Sequence, residues 1–404
     1  MQLSKVAIIF KKEMTDTLRD RRTLIFMLLI PVVAVPLLMM GMSKLMVSQI
    51  TKVKEEMSVV VIEGLAFLPG ELQDQFTQAS GLTLRTEDDY EAVDLTEELR
   101  QGNIDVLVIA SADFDSNLAQ EKPAEIEVLY DGAEIKSEFA KDRVEKILIE
   151  FKDQTVHYRL AQRDISIAVL TPFSVDYKNV APMQKMIGKE LGLILPYLII
   201  IMCFMGAMYP AIDLAAGEKE RGTLETLLVS PASRGEFVVG KYLVVLTTGI
   251  VAAFLSMGSL TFSMKYMVED LLKGAGQMLA IEFDPQTVLL VLLTILPLAG
   301  IFAGILLSVS IFARSFKEAQ SYVTALNFAI ILPAFASFLP GVELGYETAL
   351  IPVVNVSLII KDAVSGTVEW HFVLLALVSN TVLAGLSLLF SRKWFEKESV
   401  LFRM

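Results

Sequence analysis

Gly217-Glu-Lys-Glu-Arg-Gly-Thr-Leu-Glu-Thr-Leu-Leu-Val-Ser-Pro-Ala-Ser-Arg-Gly-Glu-Phe-Val-Val-Gly-Lys241 is a short, densely charged stretch wedged between two long apolar runs. Leu224, Leu227 and Leu228 recur at i, i+3, i+4, so about a turn and a half of helix carries them on one face. Glu218, Lys219, Glu220, Arg221 and Glu225 supply the polar remainder. Pro231 cannot donate a backbone hydrogen bond and pushes Ser230 out of the helical region, which stops the helix. The spacing predicts a compact amphipathic helix, 217–231, displayed at a membrane face for docking. An ordinary charged loop satisfies the same spacing.

Outward from this stretch the chain is strongly apolar. Of its 404 residues 54% are hydrophobic, and the mean hydropathy is +0.55. A hydrocarbon core of roughly 30 Å needs about 20 helical residues. Six charge-free runs are long enough: Thr23–Ser43, Leu191–Ile212, Tyr242–Met264, Pro285–Ala313, Ala319–Val342 and Trp370–Ser391. The sequence therefore predicts an α-helical polytopic membrane protein with six transmembrane helices. The predicted order is an interfacial helix (1–22), a first span (23–47), an extracytoplasmic α/β domain (48–190) and five further spans (191–404).

Short flanks rich in Lys and Arg stay in the cytoplasm. Lys11, Lys12, Arg19, Arg21, Arg22, Lys219, Arg221, Arg234, Lys241, Arg314 and Arg392 fall on one side if the spans alternate. The opposite short loops offer only Lys265, Lys273 and Lys361. Both termini and the opening stretch are thus expected in the cytoplasm of a bacterial cell, with the soluble domain outside. The first apolar run lacks a small-residue cleavage site and is expected to stay as an anchor. The net charge of −12 gives no reason to expect nucleic-acid binding.

Residues 4–22 read as a basic amphipathic helix in which Val6, Phe10, Met14 and Leu18 repeat every fourth position and lie in the membrane interface. Between the first two spans, Met57–Ile62, Asn103–Ala110 and Glu125–Tyr130 read as strands. Pro69–Ser80, Asp89–Gln101 and Ala133–Arg163 carry helical spacing, and the alternation points to an α/β or α+β domain. Cys203 is the only cysteine, so that domain has no disulfide.

Asp213, at the end of the second span, and Asn327, in the fifth, are candidates for gating or an ion path, because polar groups at membrane depth are costly. Gly300-Ile-Phe-Ala-Gly304 is a small-xxx-small pattern that lets helix backbones approach closely. Thr348–Ile360 is too short to cross and is expected to be re-entrant on the outer side, within 345–362. Gly235-Glu-Phe-Val-Val-Gly240-Lys241 has the spacing of a phosphate loop, but Tyr242 stands where a magnesium-binding hydroxyl belongs and no strand precedes it. With two histidines and no paired motif, the chain has neither a metal-ligand set nor a catalytic set.

Glu218-Lys-Glu-Arg-Gly-Thr-Leu-Glu225, followed by Leu228, Pro231 and Gly240-Lys241, resembles the cytoplasmic coupling segment of ATP-binding-cassette exporter permeases of the second export class. The basic N-terminal helix, the domain after the first span and the re-entrant stretch fit the same family. The C-terminal Glu398-Ser-Val-Leu-Phe-Arg403 resembles its sodium-efflux members. The resemblance implies a non-catalytic permease subunit that pairs with a second permease chain and two copies of a cytoplasmic ATPase, which holds the ATP and Mg. The ATPase would seat on Glu218, Glu220, Arg221, Gly222, Thr223, Leu224, Glu225, Leu228 and Pro231. The implied cargo is Na+. Export of a drug, peptide or lipid is the alternative, and so is a membrane receptor or scaffold with an outer ligand-binding domain.

Overall fold

A computed structural model describes the chain except residues 91–92, 174, 177, 179–182, 224–229, 273–284 and 398–404, with side chains also undescribed at 46, 183–190 and 264–272. It divides into two compact units, Lys44–Lys178 and the remainder.

In chain order, α1 is Leu3–Thr17 and α2 is the first spanning helix, Arg21–Glu55. They are separate helices where the sequence suggested one element over 4–22. The reason is Asp20, whose carboxylate accepts from Arg22 N (3.4 Å) and Thr23 N (3.0 Å) and so starts a new helix. Burial pushes the Asp20 carboxyl up, but the bonds from Thr23 and Arg22 outweigh it and hold it below the usual range.

The soluble unit comes next: β1 (Ser58–Glu63), α3 (Gly70–Gln78), β2 (Leu82–Thr86), α4 (Leu95–Arg100), β3 (Val106–Ala110), α5 (Phe114–Ala119), β4 (Ile126–Tyr130) and α6 (Ile135–Gln162). The sheet order is β2-β1-β3-β4, with β4 antiparallel to β3 and the other pairings parallel. Parallel neighbours need a crossover, and α3 and α4 provide it. Central β1 is apolar on both faces, as a covered strand must be. Val60 and Ile62 pack with Leu72, Phe76, Ala140 and Val144 on one face, while Val61 packs with Leu99 and Leu107 on the other. Arg143 locks the parallel edge by donating to Gly81 O (2.6 Å), Ser58 Oγ (3.0 Å) and Glu56 O (3.1 Å). The expected strands Met57–Ile62, Asn103–Ala110 and Glu125–Tyr130 are present. Strand β2 and helix α5 are additions, both short and polar enough to read as loop.

The other spanning helices are α7 (Leu191–Glu220), α8 (whose spanning part is Arg234–Ser263), α9 (Pro285–Phe312), α10 (Phe316–Phe338) and α12 (Trp370–Glu396). With α2 they are six among the described residues, at the places where the six apolar runs lie. Helix α7 packs on α8 and α9, and its cluster with them is almost wholly apolar. Outward residues of α12, among them Leu374, Val378, Val382 and Leu386, are more than half exposed, as befits side chains whose solvent is lipid. Proline 31 lies in a π-helical stretch, Ile25–Ala34, and its carbonyl accepts a bond from Ser259.

Thr348–Ile360 forms a turn of 3-10 helix, Thr348–Leu350, followed by α11, Val354–Ser365. At 12 residues α11 rises about 18 Å, too little to cross. It is nonetheless buried in the bundle against α7 and α9. Asn355 and Asn380, both fully covered, exchange hydrogen bonds at 3.1 and 3.0 Å, and Asn355 Nδ2 also donates toward Ala349 O at 2.9 Å. Asn355→Ala should therefore lower stability by about 1 kcal/mol, since it leaves the Asn380 amide unpaired. Thermal unfolding of the purified protein would show it, and an unchanged transition would mean the pair contributes nothing.

Candidate functional site

The charged stretch lies at the junction of α1, α7 and α8. Helix α7 does not stop at the end of its apolar run. A π-helical turn, Asp213–Gly217, carries it on to Glu220. The wider turn rotates the succeeding residues about the helix axis. Glu218 therefore turns inward and is 5% exposed, rather than standing on a free docking face. Its carboxylate meets the ammonium of Lys241 from α8, itself 1% exposed, which also donates to Leu214 O. Lys241 is thus the interior half of an ion pair, which accounts for a phosphate-loop spacing with no loop.

Around this pair the polar contacts tie helices together. Asp213, proposed from sequence for gating, pairs with Arg221 at 2.8 Å. Lys219 reaches the end of α9 at Ile311 O and Ala313 O. Glu220 is exposed and accepts from Phe316 N at 2.8 Å, the first amide of α10. Gly222 (φ +69°) ends the helix in the left-handed region that glycine enters freely, and Thr223 Oγ donates back to Glu218 O at 3.3 Å. Leu224, Glu225 and Leu228 lie outside the described residues. Asn327, on α10, is not part of this group, and its Oδ1 is buried without a hydrogen-bond partner among the described residues.

Helix α1 closes the junction from the N-terminal side. Val6, Ile9, Glu13 and Thr17 are its buried face, and Phe10 and Met14 pack partly against the same core. Much of the stripe expected to lie in lipid therefore faces protein, while Leu18 stays exposed. Gly240 makes this possible: a Cβ there would come within 2.6 Å of Ile9 Cγ2. Gln2 N donates to Glu236 Oε1 (2.6 Å), Lys5 Nζ to Pro231 O (2.8 Å). Glu236 and Ser233 form a capping box at the start of α8, with Ser233 N to Glu236 Oε2 at 2.8 Å. Glu13, 2% exposed, is bonded by Lys12 at 3.0 Å. Burial draws the Lys12 ammonium down, yet Glu13, Glu218 and Asp16 together raise it.

Glu13, Glu236 and Lys5 do not stand out in the sequence. A helical wheel holds the clue for the first, since a carboxylate in line with Val6 and Ile9 must be buried with a partner. Chemically the junction contains no nucleophile and no acid–base pair open to a substrate among the described residues. It is a set of polar contacts that joins α1, α7 and α8.

The described residues thus form six helices long and apolar enough to span a membrane, one mixed-sheet unit and a charged junction between the second and third of those helices. The chain matches the ABC-2 family transporter protein across residues 21–391, and it belongs to that family. A curated relative is the ABC transporter permease protein NatB of Bacillus subtilis (strain 168). It is 28% identical over 396 residues, covering 96% of this chain and 97% of that protein.

Proposed function

We propose that the chain is the membrane subunit of an ATP-driven exporter, working as a pair of permease chains with two copies of a separate ATPase docked on 217–231. The observation that supports this is the clamped junction. The segment joining α7 and α8 leaves from a buried ion pair, Glu218–Lys241, and is tied to α1 through Pro231 and Glu236. A push on 217–231 from the cytoplasm is delivered to three helices at once instead of being absorbed by a slack loop. The soluble unit lies outside the cell in this reading, which the charge asymmetry of the short loops supports. Na+ is the cargo that the resemblance to sodium-efflux permeases implies.

Two measurements test this reading. Leu228→Asp should cut ATPase co-purification by about tenfold or more while the permease unfolds as the wild type does, because a charge replaces an apolar anchor. Undiminished co-purification would place docking elsewhere. The reconstituted complex should also show ATP-dependent sodium flux, and a flat sodium trace beside transport of a drug, peptide or lipid would replace the cargo.

A further inference from the structure

The soluble unit contains a cavity of about 480 Å³ between α5, β4 and the C-terminal half of α6. It exists because α6 is too long for the sheet. Its 28 residues extend about 42 Å, far past the four strands it covers. Leu148, Phe151 and Val156 line it from α6 and Ile126 and Val128 from β4, and all of these but Val156 also belong to the core of the unit. Lining positions on α6 run from Lys141 to Arg159, about 27 Å of helix, so the space extends along the helix. Its size lies within the range of small-molecule sites, and its walls are mostly apolar with a few polar groups, as such sites are.

Cations outnumber carboxylates in its lining. Lys122, Lys141, Lys152 and Arg159 line it against a single carboxylate, Glu145, in a chain whose net charge is −12. Lys141 is already engaged by Glu145 at 2.6 Å and lies over the Tyr130 ring. Lys122 and Lys152 have no ion-pair partner among the described residues. Lys122 N donates to Asn117 O (2.8 Å) and Arg159 Nη2 to Leu118 O (2.6 Å), which gathers two cations at the α5 end.

We propose that this cavity binds a single-chain amphiphile with an anionic head, a fatty acid or its equivalent, with its chain between α6 and β4 and its head by Lys122 and Arg159. A volume of about 480 Å³ is of the size of one acyl chain, so a free single-chain acid is the occupant tested below against a two-chain phospholipid. The site is independent of the coupling junction and of the cargo.

The test uses the full-length protein in lipid nanodiscs and a photoreactive palmitate, with labelled peptides mapped after digestion. Label is expected on the α6 stretch 148–159 and on β4. Unlabelled palmitate should compete, and hexadecanol, which lacks the charge, should do so about tenfold less well. Lys122→Glu and Lys122→Asp, both surface charge reversals, should each weaken palmitate competition by about tenfold and leave hexadecanol unaffected. Ala124→Trp should abolish labelling by filling the space. Label spread over the unit, equal competition by hexadecanol, or indifference to the charge reversals would overturn the proposal. Labelling of the same peptides by a photoreactive phosphatidylglycerol in the nanodisc would overturn its single-chain form.

Discussion

Replacing Lys241 by Met is expected to destabilise the protein by about 3–5 kcal/mol, the cost of leaving a buried charge without its partner. Glu218 is 5% exposed and sits beside Lys241 in the junction. Without the ammonium its carboxylate faces the apolar ends of α7 and α8. The second change separates pairing from packing. Glu218→Gln added to Lys241→Met should restore most of the loss, because two neutral side chains of similar size replace two opposed charges. Thermal unfolding of the two variants in one detergent gives the comparison. If the single variant unfolds with the wild type, the pair does not hold α7 to α8. If the double variant is stable yet ATP hydrolysis no longer drives flux, the pair serves transmission rather than folding.

Gly304→Val should separate α9 from α12. A Cβ at position 304 would lie 2.2 Å from Ser387 Oγ and 2.8 Å from the Ser387 carbonyl carbon, so the backbone itself must give way. The same contact carries Ser391 Oγ to Gly304 O at 2.7 Å and the Ser308–Ser391 hydroxyl pair at 2.8 Å. Overpacking costs about 1–3 kcal/mol, and the broken hydroxyl contacts add to it. Gly385→Ala is the control on the same helix pair, since nothing lies within 4 Å of a Cβ there. A wild-type unfolding curve for Gly304→Val would show that the helices have room to shift.

The spans were legible because length and hydropathy decide them with little help from neighbours, whereas at Thr348–Ile360 the same rule says only that 13 residues cannot cross. The Gly300–Gly304 pattern pointed to a close approach, and the structure shows the partners: Tyr242 of α8 and Ala384 of α12 at Gly300, and Ser387 of α12 at Gly304. Strand β2 was not legible, since Leu82–Thr86 alternates weakly and gains its place only by pairing with β1. The junction was half legible. Its charges stood out, but which of them turn inward depends on the π-helical turn at Asp213–Gly217, and no pattern of residue types announces that turn. Lys241 is the clearest case: a cation beginning an apolar run reads as an interfacial anchor until Glu218 is seen beside it.

The soluble unit stands in the chain between the first two spans, and that order has a consequence for biosynthesis. Residues Lys44–Lys178 must be made before α7 exists. At roughly 5–20 residues per second this takes on the order of ten seconds. α2, complete at Glu55, is therefore made before any other spanning helix. Leu28, Leu29, Val32, Leu37 and Leu38 stay exposed in the single chain, which leaves that face of α2 for lipid or for a second permease chain.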